Sequence, residues 1–146
     1  QIFLILDKFL LKLEKTKKKI NTIFHEEGEL YFRDIEEKIC LELLVRDNCI
    51  IALGGGSITH RNVRNAIKKN SFSIYLQVNL INLLERLKSS KKRPLLNSNQ
   101  NKRKTLEKLY HERKRFYKKA DFIVNNDNDK LQVIEEIKLR IYSYAR

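Results

Sequence analysis

"IIALGGGSITH", residues Ile50–His60, runs a short apolar stretch into three consecutive glycines, in a chain that has four glycines in all. The run "CIIAL" (Cys49–Leu53) is continuous and rich in β-branched residues, the pattern of a buried strand. Beyond the glycines, Thr59 is placed to cap a helix running to about Lys69. Strand, glycine turn and capped helix in that order put the glycines at the carboxyl end of a strand, where open parallel sheets bind their ligands. Glycine there permits a positive φ and lets a ligand touch the main chain, with N–H groups turned towards it. A tight left-handed turn without a ligand is the alternative, and one or two glycines usually suffice for that.

Strand and helix periodicities alternate along the rest of the chain. "QIFLIL" (Gln1–Leu6) predicts a buried strand, followed by a helix from about Lys8 to Lys18. A short helix near Ile20–Glu27 stops at Gly28. Phe32, Ile35, Ile39 and Leu43, three and four apart, predict an amphipathic helix within Glu29–Arg46. "FSIYLQV" (Phe72–Val78) is a third strand, and Asn79 caps a helix over Leu80–Lys88. "SSKKRPLLNSNQNK" (Ser89–Lys102) carries the single proline and predicts an exposed loop. A long helix from about Lys104 to Lys118, a strand "DFIVNN" (Asp121–Asn126) and a final helix to about Tyr144 complete the series. Strands separated by helices imply an α/β domain with a parallel sheet and right-handed crossovers. No repeat or boundary interrupts it, so residues 1–146 are expected to be one domain.

Length and composition narrow the function. A chain of 146 residues, 42% hydrophobic and 34% charged, is long enough for one core and reads as soluble. No apolar run approaches the roughly 20 residues of a membrane-spanning helix. The net charge of +13 invites a nucleic-acid partner. The excess is mostly lysine, however, among many Ile and Asn, the signature of AT-rich coding. Aromatics are not interleaved with the basic runs as stacking platforms would be. The charge therefore favours small anionic ligands, and no nucleic-acid or membrane partner is expected. Lys17–Lys19, Lys91–Lys92 and Lys118–Lys119 are read as solvated runs. Cys40 and Cys49 are expected to be buried free thiols, which suits a reducing, cytoplasmic compartment. His25, His60 and His111 have no metal-ligand spacing with them, and no role is assigned to the histidines. The chain has no methionine and opens inside a strand-like run, so it is expected to lack its beginning, along with any targeting peptide.

Four segments carry a family resemblance: "EGELYFRDIEEKI" (Glu27–Ile39), "ALGGGSITHRNVRNAI" (Ala52–Ile67), "RLKSSKKRPLL" (Arg86–Leu96) and "HERKRFYKKADFIV" (His111–Val124). In order and spacing they resemble the successive signatures of shikimate kinase, and the set is specific although each piece alone is weak. The resemblance implies a P-loop-kinase-like three-layer sandwich, with helices on both faces of the parallel sheet and a lid loop at about 89–103. It also implies ATP-dependent phosphorylation of the shikimate 3-hydroxyl, in aromatic amino-acid biosynthesis, by a monomer using ATP and Mg²⁺. Arg33 then resembles an arginine that clamps the shikimate carboxylate, and Glu36 the carboxylate that braces it. Arg113 resembles the second clamp, and Gly54, Gly55 and Gly56 would lie against the substrate ring. Arg93 resembles the lid arginine that closes over the transferring phosphate, and Arg86 a residue beside the adenine. Guanidinium forks hold carboxylates in a bidentate way that lysine does not. Tyr117 is read as core rather than catalytic.

The chain departs from the family in two places. Kinases of this class hold ATP phosphates in a G-x-x-x-x-G-K-[ST] loop, and the four glycines here leave no such pattern. The first β-loop-α unit, roughly 30 residues, is absent with its lysine and hydroxyl, so the chain alone is expected to be inactive or nearly so. The family's Asp-x-Asp pair is represented by Asp7 alone. Counted without gaps from Phe24, Asp7 matches the aspartate near the Mg²⁺ and Phe9 replaces the substrate-side one. With a two-residue deletion at the lysine run, Asp7 becomes the catalytic, substrate-side group. Both alignments stand, as do two other functions: a non-catalytic acid-binding relative, and a related small-molecule kinase.

Overall fold

The computed structural model describes residues 2–5, 20–88, 102–127 and 129–144. Strand β1 (Ile2–Ile5) is followed by α1 (Ile20–Glu26), α2 (Gly28–Leu43), β2 (Cys49–Ala52), a 3₁₀ turn (Ser57–Thr59) and α3 (Arg61–Asn70). Then come β3 (Ile74–Gln77), α4 (Leu80–Lys88), α5 (Lys102–Tyr117), β4 (Phe122–Asn125) and α6 (Lys130–Tyr144). The class is α/β, as the alternating periodicities predict. The expected helix over 8–18, most of the loop over 89–102, and Phe9 lie outside the described residues. These residues form two compact units, divided between Phe72 and Ser73.

In the first unit β1 and β2 pair in parallel, from Ile2 opposite Cys49 to Ile5 opposite Ala52. A parallel pair needs a crossover connection, and α1 and α2 lie within it. Gly28 takes φ +85°, the left-handed geometry that ends one helix and lets the chain turn at once into the next. Nothing would obstruct a side chain there, so conformation rather than space calls for glycine. Phe32, Glu36, Ile39, Cys40 and Leu43 form the buried stripe of α2. Of these, Phe32, Ile39, Cys40 and Leu43 pack with Ile23 of α1 and with Val63 and Ile67 of α3. The Phe24 and Phe32 rings meet with centroids 4.5 Å apart.

In the second unit β3 and β4 pair in parallel, from Ile74 opposite Phe122 to Gln77 opposite Asn125. Val78, Leu106, Val124 and Val133 are its buried apolar side chains. Asp121 clips the start of β4 to β3, accepting hydrogen bonds from Ser73 N at 2.8 Å and Ser73 Oγ at 2.6 Å. These bonds hold the Asp121 carboxyl below its ordinary value. Asn79 caps α4 as expected, its Oδ1 accepting from Asn82 N at 2.8 Å. Tyr117 is half-buried and stacks on Tyr75, ring centroids 5.1 Å apart. No helix among the described residues is long and apolar enough to cross a membrane.

Three local expectations need correction. Thr59 does not cap α3. Its backbone N and its Oγ1 both donate to Gly56 O, at 2.9 and 2.7 Å, which closes the 3₁₀ turn and leaves His60 ahead of the helix. The glycine triplet does not use left-handed geometry either, since Gly28 is the glycine with positive φ among the described residues. Cys40 is buried as expected, but Cys49 is only half-buried, at the start of a four-residue strand, with its thiol donating to Arg46 O at 3.4 Å.

Candidate functional site

A charged residue on the buried stripe of α2 is the first sign of a site. Position 36 continues the spacing that brings Phe32, Ile39 and Leu43 inward, yet it is a glutamate, 3% exposed. A carboxylate so enclosed needs a cation and hydrogen bonds. Arg33, one turn earlier, supplies them, with Nη1 donating to Glu36 Oε2 at 2.5 Å. On its outer side the same guanidinium reaches Glu29 Oε1 at 3.3 Å from Nε and Nη2. Three and four residues are the spacings that bring side chains together on one helix face. The guanidinium is thus fixed from both sides.

The glycines enter through space rather than conformation. A Cβ on Gly56 would stand 2.8 Å from Arg33 Cζ and 3.0 Å from Nη2, and closer still to Nη1. The planar guanidinium therefore lies against bare backbone, and only glycine leaves it room. Gly54 and Gly56 lend their carbonyls to the turn, accepting from Ser57 N at 3.1 Å and Thr59 N at 2.9 Å. Gly56 is buried, Gly54 half-buried and Gly55 exposed. The turn places the end of β2 beside the guanidinium of α2, and the outcome is a positive fork lodged at a strand's carboxyl end.

Two residues without an assigned role join this cluster. His60 places Nδ1 3.2 Å from Glu37 Oε2 and Nε2 3.9 Å from Glu36 Oε2. Arg64 Nη1 donates to Ile58 O at 2.9 Å and Thr59 O at 2.7 Å, bracing the turn from α3. Underneath lie the Cys40 thiol and the fully buried Ser57. Burial pushes the thiol up to about 11, with the Glu36 and Glu37 carboxylates adding to the rise and the Ser57 hydroxyl opposing it. The thiol is a packing group. A histidine between two glutamates 23 and 24 residues away has no spacing signature, so only the packing of α3 on α2 reveals it.

Arg86 and Arg113 belong to the second unit. Arg86, on α4, donates from Nη2 to Asn126 O at 2.6 Å, just past β4. Beside it, Asp127 accepts from Asn79 N at 3.1 Å and Asn82 Nδ2 at 2.8 Å. Polar groups thus gather at the carboxyl ends of β3 and β4, the edge where parallel strands present ligands. Arg113 is half-buried on α5. Asp7 and Arg93 lie outside the described residues. Among the described residues no cluster of three or more His, Cys, Asp or Glu is arranged to hold a metal ion.

A family model described as shikimate kinase matches residues 3–142 of the chain. The chain belongs to the shikimate kinase family. That is a family of phosphotransferases, and the match runs through both units. A shikimate kinase of Sulfurihydrogenibium sp. (strain YO3AOP1) is 36% identical over 129 residues, 88% of this chain and 76% of the relative. One from Buchnera aphidicola subsp. Schizaphis graminum is 39% identical over 116 residues, 79% of this chain and 67% of the relative. Among solved structures, a shikimate kinase from Acinetobacter baumannii in complex with shikimate superposes with a TM-score of 0.88 at 28% identity. It covers 99% of this chain and 80% of that one. The shikimate kinase from Aquifex aeolicus gives 0.81 at 30% identity, over 98% of this chain and 82% of that one.

Proposed function

We propose that this chain carries the acid-binding part of a shikimate kinase, an enzyme that phosphorylates the 3-hydroxyl of shikimate in aromatic amino-acid biosynthesis. The observation that carries the proposal is the Arg33 guanidinium, braced by buried Glu36 and lying on Gly56. A fork held in that way is already oriented, so a carboxylate that takes over part of its contacts meets it with little ordering cost. In this proposal Arg33 and Arg113 clamp the shikimate carboxylate, and Gly54, Gly55 and Gly56 border the ring. Arg86 serves the adenine side and Arg93 the lid. Asp7 is the substrate-side base or the aspartate near the metal, according to the alignment. One domain over residues 1–146, with its lid at about 89–103, is part of the same proposal. So is a cytoplasmic monomer of three-layer P-loop-kinase fold. A family match running from residue 3 to 142 supports it.

ATP would supply the phosphoryl group and Mg²⁺ would offset its charge. The residues at hand fit the acid, through the braced Arg33 fork. They do not fit the phosphates, because the 146 residues contain no G-x-x-x-x-G-K pattern. Positioning and neutralising those phosphates is most of the catalysis in phosphoryl transfer. We therefore propose that these 146 residues bind shikimate without turning it over.

Calorimetric titration of shikimate into the chain, with and without ATP–Mg²⁺, tests this. Binding lost in Arg33→Lys, which keeps the charge but not the fork, and unaffected by ATP–Mg²⁺ is the expected result. Failure of the folded chain to bind shikimate would leave kinship without acid recognition. Binding of another hydroxy acid in its place would favour a related small-molecule kinase.

A further inference from the structure

The ring of His60 stands between two carboxylates and is fully used by neither. Its backbone is extended (φ −76°, ψ 127°) ahead of α3, and its side chain makes no cap for that helix. Instead, Nδ1 is 3.2 Å from Glu37 Oε2. The other Glu37 oxygen accepts from Asn62 Nδ2 at 3.0 Å, so Glu37 is a fixed acceptor and Nδ1 is the nitrogen that carries a proton. Nε2 is buried, makes no hydrogen bond, and faces Glu36 Oε2 at 3.9 Å. A neutral ring would turn a lone pair towards that carboxylate oxygen, acceptor against acceptor. An imidazolium would turn an N–H towards it.

The charged groups around the ring come from both packed elements. Helix α2 presents Glu36 and Glu37, with Arg33 on the far side of Glu36. On the His60 side, the Arg64 guanidinium is engaged by the carbonyls of Ile58 and Thr59. Glu36 Oε2 is the atom shared between Arg33 Nη1 and His60 Nε2. Whenever Arg33 gives part of its fork to a ligand's carboxylate, Glu36 loses part of its neutralising partner while remaining buried, which is costly. His60 is the residue placed to make up that loss.

We propose that His60 is a positioning residue of the acid clamp: as an imidazolium anchored on Glu37, it shares Glu36 with Arg33 and frees the guanidinium for a ligand's carboxylate. This rests on the reading of Arg33 as a carboxylate clamp. An imidazolium at this position strengthens the clamp, so acid binding is expected to be tighter at about pH 6 than at about pH 8. Simple carboxylates stay ionised over that range, so the ligand does not contribute to the trend.

The test is calorimetric titration of shikimate into the 146-residue chain at about pH 8 and about pH 6. The wild-type chain, His60→Gln, His60→Asn and Arg33→Lys are compared with His25→Gln as control, each first shown folded by circular dichroism. Wild type and His25→Gln are expected to bind about tenfold more tightly at the lower pH, the size of one charge-assisted hydrogen bond. Both His60 variants should bind more weakly and lose that gain. Equal weakening at both pH values, or a flat wild-type profile, overturns the proposal. So does an unchanged pH profile in His60→Gln while Arg33→Lys abolishes binding, an outcome that leaves the clamp itself standing. No binding by the folded wild-type chain overturns the clamp and the role of His60 together. A second readout needs no ligand: the ¹⁵N imidazole resonances of the three histidines. His60 should be the Nδ1–H tautomer at high pH and should respond to Glu37→Gln and Glu36→Gln. An Nε2–H tautomer, or indifference to both substitutions, overturns the placement.

Discussion

At Gly56 a methyl group would meet Arg33 Cζ at 2.8 Å, and the atom it meets is the far end of a flexible side chain. Gly56→Ala is therefore expected to move the guanidinium rather than the backbone. Stability should fall by only about 1–2 kcal/mol, while shikimate affinity drops about tenfold or more, both measurable on one preparation. Arg33→Ala is different, because it leaves the Glu36 carboxylate buried without its cation. A loss of about 3 kcal/mol in urea unfolding is expected. The apolar pair Arg33→Met with Glu36→Leu should recover most of that loss and still bind no acid. Cys40 sets an alkaline limit. Its thiol is raised from 9.0 to about 11 by burial, so the folded state holds that proton more tightly than the unfolded one. The contribution is fully present below pH 9.0 and is lost as pH rises towards about 11. Cys40→Ala should flatten the unfolding midpoint across that window.

At the scale of elements, caps and turns show how far local chemistry reaches. Asn79 lies between a strand and a helix with an acceptor oxygen at the right distance along the chain, and Asn82 N is its partner. Asn79→Ala should cost about 1 kcal/mol by urea midpoint, with most of it restored by Asn79→Ser. Thr59 has the same local credentials, yet its hydroxyl goes back to Gly56 O. The hydroxyl is taken by the glycine carbonyl, and a 3₁₀ turn forms where a cap is predicted. Propensity names the candidates for a cap, and the competing acceptor selects among them.

Across the whole molecule, the family match spans residues 3–142 while the phosphate-loop pattern is missing from the 146 residues. A coupled assay of ATP turnover with shikimate should stay at background for this chain, even where calorimetry detects shikimate. Turnover above background would mean that the phosphates are held without that pattern. With a net charge of +13, encounter with an anionic acid should weaken as salt is raised, because screening shortens the reach of that field.

The alternation of apolar periods determined the α/β class, and three- and four-residue spacing on α2 determined which face is buried. Both are properties of neighbours along the chain, so no fold is needed to see them. Arg33 and Glu36 were singled out by the family resemblance of the F-R-x-x-E stretch, and their spacing of one helical turn brings the two side chains together. What only tertiary structure decided is how residues far apart in sequence share a few ångströms. Gly56 needs to be bare because α2 lays a guanidinium on it, and not because its backbone is left-handed. His60 matters because α3 packs on α2 and brings it between Glu36 and Glu37. Spacing along one element is set by local geometry, whereas contact between elements is set by which apolar faces bury each other, and no residue carries that information alone.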